Sequence, residues 1–427
     1  MSPETRPRYR LRREWDGWEL FDRWEGRVSS LGAAEGKPAG TQQHHEGSIS
    51  ALLPEYTEPL IDTNYPKTPD FASAPRRIYW ELTRRCNLNC KSCFNRRGDV
   101  SLEMPFDTII KVAGDLYSAG VYEIRCTGGE PTQRSDLFDI IDRLFTMGFY
   151  ISMGTNGIYS LNILKKVMKA PIDWIILSID GSTEAANSEI RGPGNFDRAI
   201  ATLRVLKDKG VRIRINTLIR RSHFRYQDLR RLAEICEDNG VESLNCIPLR
   251  PMTNDPVTRK LQLDPAEFRE FISGLKRLKR EFNIKFVTTL DLEPTAENDR
   301  IYLKSKSCAA GREGAVISPA GEIYGCSYSP ASDPDAAPET RRRYVAGNLL
   351  EEDFLEIWND SSRWSIYRDL DRYKHQKCKE CDYYLDGNCI GNCPIMREDP
   401  AAFDPYCYLH LETEYSIGER TDYDHFG

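Results

Sequence analysis

The sequence has no run of 18 or more apolar residues, the length a membrane-spanning helix requires. It has no basic surplus: 59 Lys and Arg stand against 65 Asp and Glu, a net charge of −6. That balance lacks the electrostatic footprint of a nucleic-acid binder. The first thirteen residues, Met1 to Arg13, are rich in arginine and contain no apolar h-region, so no secretory signal is visible. Neither membrane nor nucleic acid is expected as a partner, and the cytoplasm is the expected compartment. Cysteine, by contrast, is abundant, with thirteen residues. In a cytoplasmic chain such a number points to metal or redox chemistry rather than disulfides, and an odd count agrees.

A chain of 427 residues is long enough for two or three domains. Residues 1–31 read as a small β element, with hairpin turns at Asp16-Gly17 and Glu25-Gly26 between short stretches carrying Tyr9, Leu11, Trp18, Leu20 and Val28. Residues 32–50 have the composition of a linker, and residues 51–75, with five prolines, that of an extended segment. From residue 76 to about 291 apolar runs alternate with helical patterns. The runs are Ile78–Leu82, Tyr122–Cys126, Tyr150–Met153, Trp174–Ile179, Ile213–Ile219 and Leu244–Leu249. One helix is predicted from an N-cap near Ser135 to Gly148, another from Asn195 to Gly210. Strand–helix alternation of this kind predicts an α/β fold with a parallel sheet and outer helices, here six units of a partial (β/α)6 barrel. Chemistry in such barrels sits at the C-terminal strand ends. Residues 292–427 lose the alternation and gain clustered cysteines, so bound clusters rather than a large apolar layer are expected to organise them.

Cys86, Cys90 and Cys93 follow the first apolar run in the spacing C-x3-C-x2-C. Three thiolates so close can hold three irons of a [4Fe–4S] cube. With no fourth cysteine nearby, one iron is left open to a small ligand. A zinc knuckle would need a fourth local ligand. The run Glu-Leu-Thr-Arg-Arg-Cys-Asn-Leu-Asn-Cys-Lys-Ser-Cys-Phe resembles the signature of the radical SAM enzymes, which bind S-adenosylmethionine (SAM) at the open iron and cleave it reductively. Here Ser92 stands where that family usually has an aromatic residue, and Phe94 follows the third cysteine instead.

The resemblance extends along the strand ends and implies further SAM contacts. Thr127-Gly128-Gly129-Glu130-Pro131 resembles the motif that contacts the methionine amino group. Two glycines let backbone approach a ligand, and the Glu130 carboxylate can accept from an ammonium; an ordinary βα turn is the plain alternative. Asn156, Ser178 and Asp180 occupy positions that contact the ribose and methionyl parts. Ser178 and Asp180, two apart, point to one face, expected to be the lumen. Arg191 is the implied partner of the SAM carboxylate, where a bidentate pair is available. Leu218 and Phe94 are the apolar candidates for the adenine.

Seven cysteines and a glycine then follow in order: Cys308, Gly321, Cys326, Cys378, Cys381, Cys389, Cys393 and Cys407. They resemble the SPASM domain of radical SAM peptide-modifying enzymes, except that seven residues rather than the usual five separate Cys381 from Cys389, a lengthening a loop tolerates. The resemblance implies two auxiliary [4Fe–4S] clusters and three in all. Cys378, Cys381, Cys389 and Cys407 would fully ligate one; Cys308, Cys326 and Cys393 would hold the other, with no fourth ligand visible. Zinc ribbons, or clusters that only staple the domain, are the alternatives.

Cys126 and Cys236 read as core residues, Cys236 on the stripe with Leu229, Leu232 and Ala233. Cys246 reads as core, with a lumen-facing hydrogen donor as the alternative, and Arg250 is within reach of SAM or substrate. The pattern resembles the branch containing the mycofactocin and pyrroloquinoline-quinone peptide enzymes. It implies oxidative modification of a ribosomally made precursor peptide, fed by a flavodoxin- or ferredoxin-type electron donor. Residues 9–28 resemble the first strands of a domain that recognises leader peptides by strand addition. The helices of that domain do not follow, which leaves room for a separate recognition protein. A radical dehydrogenase or epimerase acting on a sugar, and a sulfatase-maturing enzyme, are the competing readings. A plain electron carrier would need neither Gly128–Glu130 nor Asn156.

Overall fold

The computed structural model describes residues 8–14, 17–24, 26–31, 60–63, 65, 67–68, 70–93, 95, 100–250, 256–288, 308–333, 336–369, 376–381, 385, 393 and 406–407. Asp16, Glu25, the linker 32–50, Phe94, Cys389 and residues 408–427 lie outside them.

Strands β1 (Tyr9–Glu14), β2 (Gly17–Asp22) and β3 (Arg27–Leu31) form an antiparallel sheet in that order. The outer edge of β1 is occupied by Ile61, whose carbonyl accepts from Arg13 N–H (2.8 Å) and whose N–H donates to Leu11 (3.1 Å). One face of the sheet is anchored by buried charge. Arg10 donates to the carbonyls of Val121 (2.7 Å) and Tyr117 (2.6 Å), and Arg12 to Gly120 (2.9 Å). Glu19 pairs with Arg12 and Arg76, and Glu14 accepts from Ser73. Phe21 stacks on Tyr122 at 4.7 Å and meets Tyr150 edge-on. These partners lie just before or at the start of the barrel strands, so the small sheet sits beneath their N-terminal ends.

The barrel strands are β4 (Arg77–Thr83), β5 (Glu123–Gly128), β6 (Tyr150–Thr155), β7 (Trp174–Ser178), β8 (Arg212–Ile219) and β9 (Ser243–Pro248), all parallel and hydrogen-bonded in sequence order. They match the six apolar runs. Helices α1 (Phe106–Ser118), α2 (Leu137–Met147), α3 (Leu161–Lys169), α4 (Glu184–Arg191), α5 (Phe196–Lys209), α6 (Tyr226–Asp238), α7 (Pro256–Leu261) and α8 (Pro265–Glu281) intervene or follow. Strand alternation sorts the side chains. Ile78, Trp80 and Leu82 enter the apolar core, whereas Arg77, Tyr79, Glu81 and Thr83 lie on the opposite face of β4. Helix α2 buries Leu137, Ile140, Ile141 and Leu144 and ends at Gly148 in the left-handed conformation (φ 101°), but its N-cap is Asp136 rather than Ser135. Among the described residues no helix is long and apolar enough to cross a membrane.

The sheet does not stop at the sixth strand. Strand β10 (Lys285–Val287) adds parallel to β9. At the opposite edge β11 (Gly314–Ile317) runs parallel to β4, followed by antiparallel β12 (Glu322–Tyr324) and β13 (Val345–Asn348). The cysteine-rich region thus extends the barrel sheet rather than standing apart from it. Its apolar layer is also larger than its sequence suggests. Trp358, Trp364, Tyr344 and Tyr367, from β13's flank and two short helices, α9 (Phe354–Asn359) and α10 (Ser365–Arg368), are buried in the same core as the barrel. Aromatic side chains supply that area from few residues. Cys126, Cys236 and Cys246 are fully buried in this core. Cys246 therefore points away from the lumen, which Asn245 faces instead through its bond to Asn216 (3.0 Å) on β8.

Candidate functional site

The first cysteine loop leaves β4 at Thr83. Gly128 and Gly129 lie directly against it: a Cβ on Gly128 would overlap the Thr83 carbonyl, and one on Gly129 the Arg85 carbonyl. Gly129 N–H donates to Thr83 (2.8 Å) and Glu130 N–H to Arg85 (2.8 Å). The glycines therefore admit another stretch of backbone, a partner that sequence could not distinguish from a ligand. Arg85 is further held by Glu103 in a two-pronged pair (2.9 and 2.8 Å). Within the loop the sulfur of Cys86 accepts from Leu88 N–H and that of Cys93 from Asn95 N–H, both at 3.4 Å. Lys91 N–H donates to Ile190 at the end of α4 (3.0 Å). Burial pushes the Cys90 thiol up to about 11 against the pull of the Arg191 guanidinium, and burial raises the Cys86 thiol too.

The residues from the other strand ends converge on this loop. Glu130 is fully buried, and its carboxylate accepts from the Thr132 hydroxyl (2.8 Å), the Thr155 hydroxyl (2.9 Å) and Asn156 N–H (2.8 Å). Burial nevertheless raises its pKa. The carboxylate expected to meet an ammonium thus ties the turn after β5 to the end of β6. Asn156 donates to Asn87 (2.8 Å) and its amide lies 3.9 Å from the Cys86 sulfur. Asp180 pairs with Arg191 (2.7 Å) and accepts from Leu218 N–H (2.7 Å). Ser178 is half-buried at the end of β7. Cys86, Cys90, Glu130, Asn156, Asp180, Arg191 and Leu218 are thereby brought to one end of the sheet, the C-terminal strand ends.

Arg220 was not anticipated. It is buried, donates to the Asp180 carbonyl (2.7 Å) and the Ala186 carbonyl, and pairs with Glu189 (2.8 Å). Its only trace in the sequence is a charge directly after the fifth apolar run. Through it the end of β8 grips the loop that carries Asp180 and the helix that ends in Arg191.

A second thiol group lies at the β4–β11 side. Cys326 interacts electrostatically with both Cys308 and Cys393, and burial lifts its thiol well above the usual range. Its sulfur accepts from Tyr328 N–H (3.3 Å). Gly321 makes the β11–β12 turn at φ 86°, a conformation glycine favours. Cys378 and Cys381 are buried on one turn, with Cys381 N–H donating to Cys378 (3.2 Å). Cys407 follows Tyr406, whose hydroxyl donates to Leu249 and whose ring packs on Phe268 at 4.9 Å. Arg250 lies over the Tyr406 ring (5.1 Å) and feels Cys326 and Tyr328. Tyr328 also feels Asp180 and Tyr79. Among the described residues no three His, Cys, Asp or Glu side chains converge on a single-ion site.

The model of the radical SAM superfamily matches residues 80–238, and that of an iron–sulfur cluster-binding domain, SPASM, matches residues 308–382. Cys389, Cys393 and Cys407 lie beyond the second match. An AdoMet-dependent heme synthase of Methanosarcina barkeri is 25% identical over 358 residues, covering 78% of this chain and 97% of that protein. A PqqA peptide cyclase of Ruegeria pomeroyi is 26% identical over 345 residues, covering 78% and 87%. Among solved structures, Streptococcus suis SuiB bound to the precursor peptide SuiA has a similar fold, with a TM-score of 0.70 at 18% identity over 94% of this chain and 98% of that one. The two matched domains imply SAM and iron–sulfur clusters.

Proposed function

Because the chain is an enzyme of the radical SAM superfamily with a SPASM domain, we propose that it matures a ribosomally synthesised precursor peptide by oxidative crosslinking, desaturation or excision. Cys86, Cys90 and Cys93 are assigned to the SAM-binding cluster. Cys308, Cys326 and Cys393 are assigned to one auxiliary cluster and Cys378, Cys381, Cys389 and Cys407 to a second, three [4Fe–4S] clusters in total. The donor set fits. The backbone N–H bonds already made to the sulfurs of Cys86 and Cys93 favour the thiolate form, and all-thiolate ligation suits such clusters. When bound, the first cluster and SAM supply hydrogen-atom abstraction from an unactivated C–H bond.

The chain's own residues position that chemistry. Arg191 is held by Asp180 and, through the same loop, by Arg220, so its guanidinium is oriented before a SAM carboxylate arrives. Glu130 fixes Thr155 and the Asn156 backbone, aiming the Asn156 amide at the Cys86 sulfur. Gly128 and Gly129 hold the cysteine loop in register with both. Ser178, Leu218 and Phe94 are assigned to the rest of the SAM molecule. The electron comes from a flavodoxin- or ferredoxin-type donor, and the enzyme works in the cytoplasm.

The observation that carries the peptide reading is the N-terminal sheet. Ile61 closes the β1 edge, while among the described residues no strand pairs with the outer edge of β3. An extended leader adds there as a fourth strand. That edge lies under the N-terminal strand ends, and the SAM pocket lies at the C-terminal ends. A six-residue strand spans roughly 20 Å, so at least about six extended residues must separate leader from modified residue. The test uses the anaerobically reconstituted enzyme and any short peptide encoded beside its gene. Loss of two hydrogens for a crosslink or desaturation, or of a fragment for an excision, is expected by mass spectrometry, with peptide binding abolished by Ser29→Pro in β3. Unchanged peptide mass and no binding would reject the reading. A second reading, modification of a tetrapyrrole precursor of heme, is favoured by the alignment with nearly the whole of the heme synthase. Turnover of that precursor in the same assay, without peptide turnover, would select it.

A further inference from the structure

Glu81 has no role in the pocket described above. It sits near the end of β4, on the face opposite Trp80 and Leu82, and is only 1% exposed. Its carboxyl lies among the Tyr324 hydroxyl, Ser327 and the Arg84 guanidinium. Neither of its oxygens, nor the Tyr324 hydroxyl, makes a well-aligned hydrogen bond. Arg84 is also directed to Asn95 (3.4 Å) and to the Ser332 carbonyl (3.3 Å). A buried carboxylate so incompletely satisfied is costly when charged. Burial accordingly pushes its pKa up to about 7, Arg84 pulling it down and Glu322 adding to the rise. Tyr324 and Ser327 flank Cys326 in the sequence, so this carboxyl abuts the hairpin carrying a central thiol of the proposed auxiliary site.

We propose that Glu81 takes up one proton when the auxiliary centre held by Cys308, Cys326 and Cys393 takes up one electron. The reduced centre carries one more negative charge, and the carboxylate against Tyr324 and Ser327 becomes the neutral acid, so the buried charge is unchanged. In turnover the electron comes from the substrate radical and the proton from the same oxidation, which releases one of each as the new bond forms. The inference rests on reading this site as an iron–sulfur centre, but not on the substrate being a peptide.

Other charged or titratable groups face Glu81 or the centre. Arg84 and Arg250 are permanent cations. Tyr324, Tyr328 and Tyr367 are all raised by burial from a value already near 10. Glu322 is partly solvated on β12.

The test is a redox titration of the holoenzyme, followed by electron paramagnetic resonance, between pH 5.5 and 9. Below about pH 7 Glu81 is already neutral, and the auxiliary potential is expected to be flat. Above it, each pH unit is expected to shift the reduction equilibrium up to tenfold, about 59 mV for one electron. Glu81→Gln is expected to flatten the curve throughout, and Tyr324→Phe to move the bend to higher pH by removing a donor to the carboxylate. A pH-independent wild-type potential overturns the proposal, with no variant required. So does a slope that survives in Glu81→Gln, and so does a holoenzyme without iron at this site. A bend without peptide turnover leaves this inference standing and rejects the peptide reading alone.

Discussion

The two thiol regions are built on opposite principles. The first comes from one loop of eight residues, Cys86 to Cys93, placed by a single strand end and locked by backbone bonds from Gly129, Glu130 and Lys91. The second draws Cys308, Cys326, Cys378, Cys381, Cys393 and Cys407 from a hundred residues of chain, over short strands and an aromatic core. A local site is specified by spacing and needs only that its loop be held. A dispersed site needs the surrounding fold to exist first. Electrostatically the two are alike: thiols crowd one another in each, and a single arginine offsets them, Arg191 in the first and Arg250 in the second.

The contrast can be broken most sharply at the first loop. Replacing Cys86, Cys90 and Cys93 by Ala should remove about four of about twelve irons and abolish 5′-deoxyadenosine formation from SAM while leaving the auxiliary irons. Iron and sulfide analysis with chromatography of the nucleoside checks this. Loss of all iron would show that the two regions do not load independently. Asp180→Asn should be next in effect. It leaves the Arg191 guanidinium without its carboxylate, a change worth about 3 kcal/mol for a buried pair, and SAM affinity measured calorimetrically should fall while the auxiliary iron content holds. Glu81→Gln probes the other region through pH. The carboxyl's pKa of about 7 exceeds its ordinary value of 4.5, so the folded state binds the proton more tightly and wild-type stability falls as pH rises from 4.5 to 7. The variant should match wild type near pH 4.5 and exceed it at pH 8 by at most about 3 kcal/mol, read from denaturant melts. Gly129→Ala should cost about 1–3 kcal/mol by overpacking against Arg85, with the first cluster lost before the auxiliary ones on dilution with chelator. Tyr406→Phe, which removes one hydrogen bond to Leu249, should cost only about 1 kcal/mol and loosen the seat of Cys407 alone.

Much of the barrel was legible because its strands are short apolar runs separated by amphipathic helices, and all six runs became adjacent parallel strands. That Glu130, Asn156 and Asp180 gather at one end of the sheet was legible too, since each follows such a run. What each of them touches was not. Glu130 and the two glycines turned inward to protein partners, because a carboxylate or a missing Cβ serves a neighbouring backbone as well as a ligand. Arg220 carries no motif, and its meaning lies in Asp180, Ala186 and Glu189, 31 or more residues away; Glu81 opens the cysteine-loop run, but its burial against Tyr324 is not legible there. The join of β11 to β4 was hidden for a related reason. Four residues, Gly314 to Ile317, are too short to declare a strand until Arg77–Trp80 supplies the other half of the ladder.

By itself the sequence determined the candidate set: ten cysteines in two spacings, and the polar residues that punctuate the ends of apolar runs. Spacing along a chain is covalent geometry, and it survives without a fold. Tertiary structure alone decided that the C-terminal strands complete the barrel sheet and that Asp180, not solvent, faces Arg191. It also decided that a buried carboxyl on β4 lies against Tyr324 and Ser327 of the Cys326 hairpin. Those outcomes depend on burial and on long-range pairing, which raise or satisfy a charge only after distant segments have packed together.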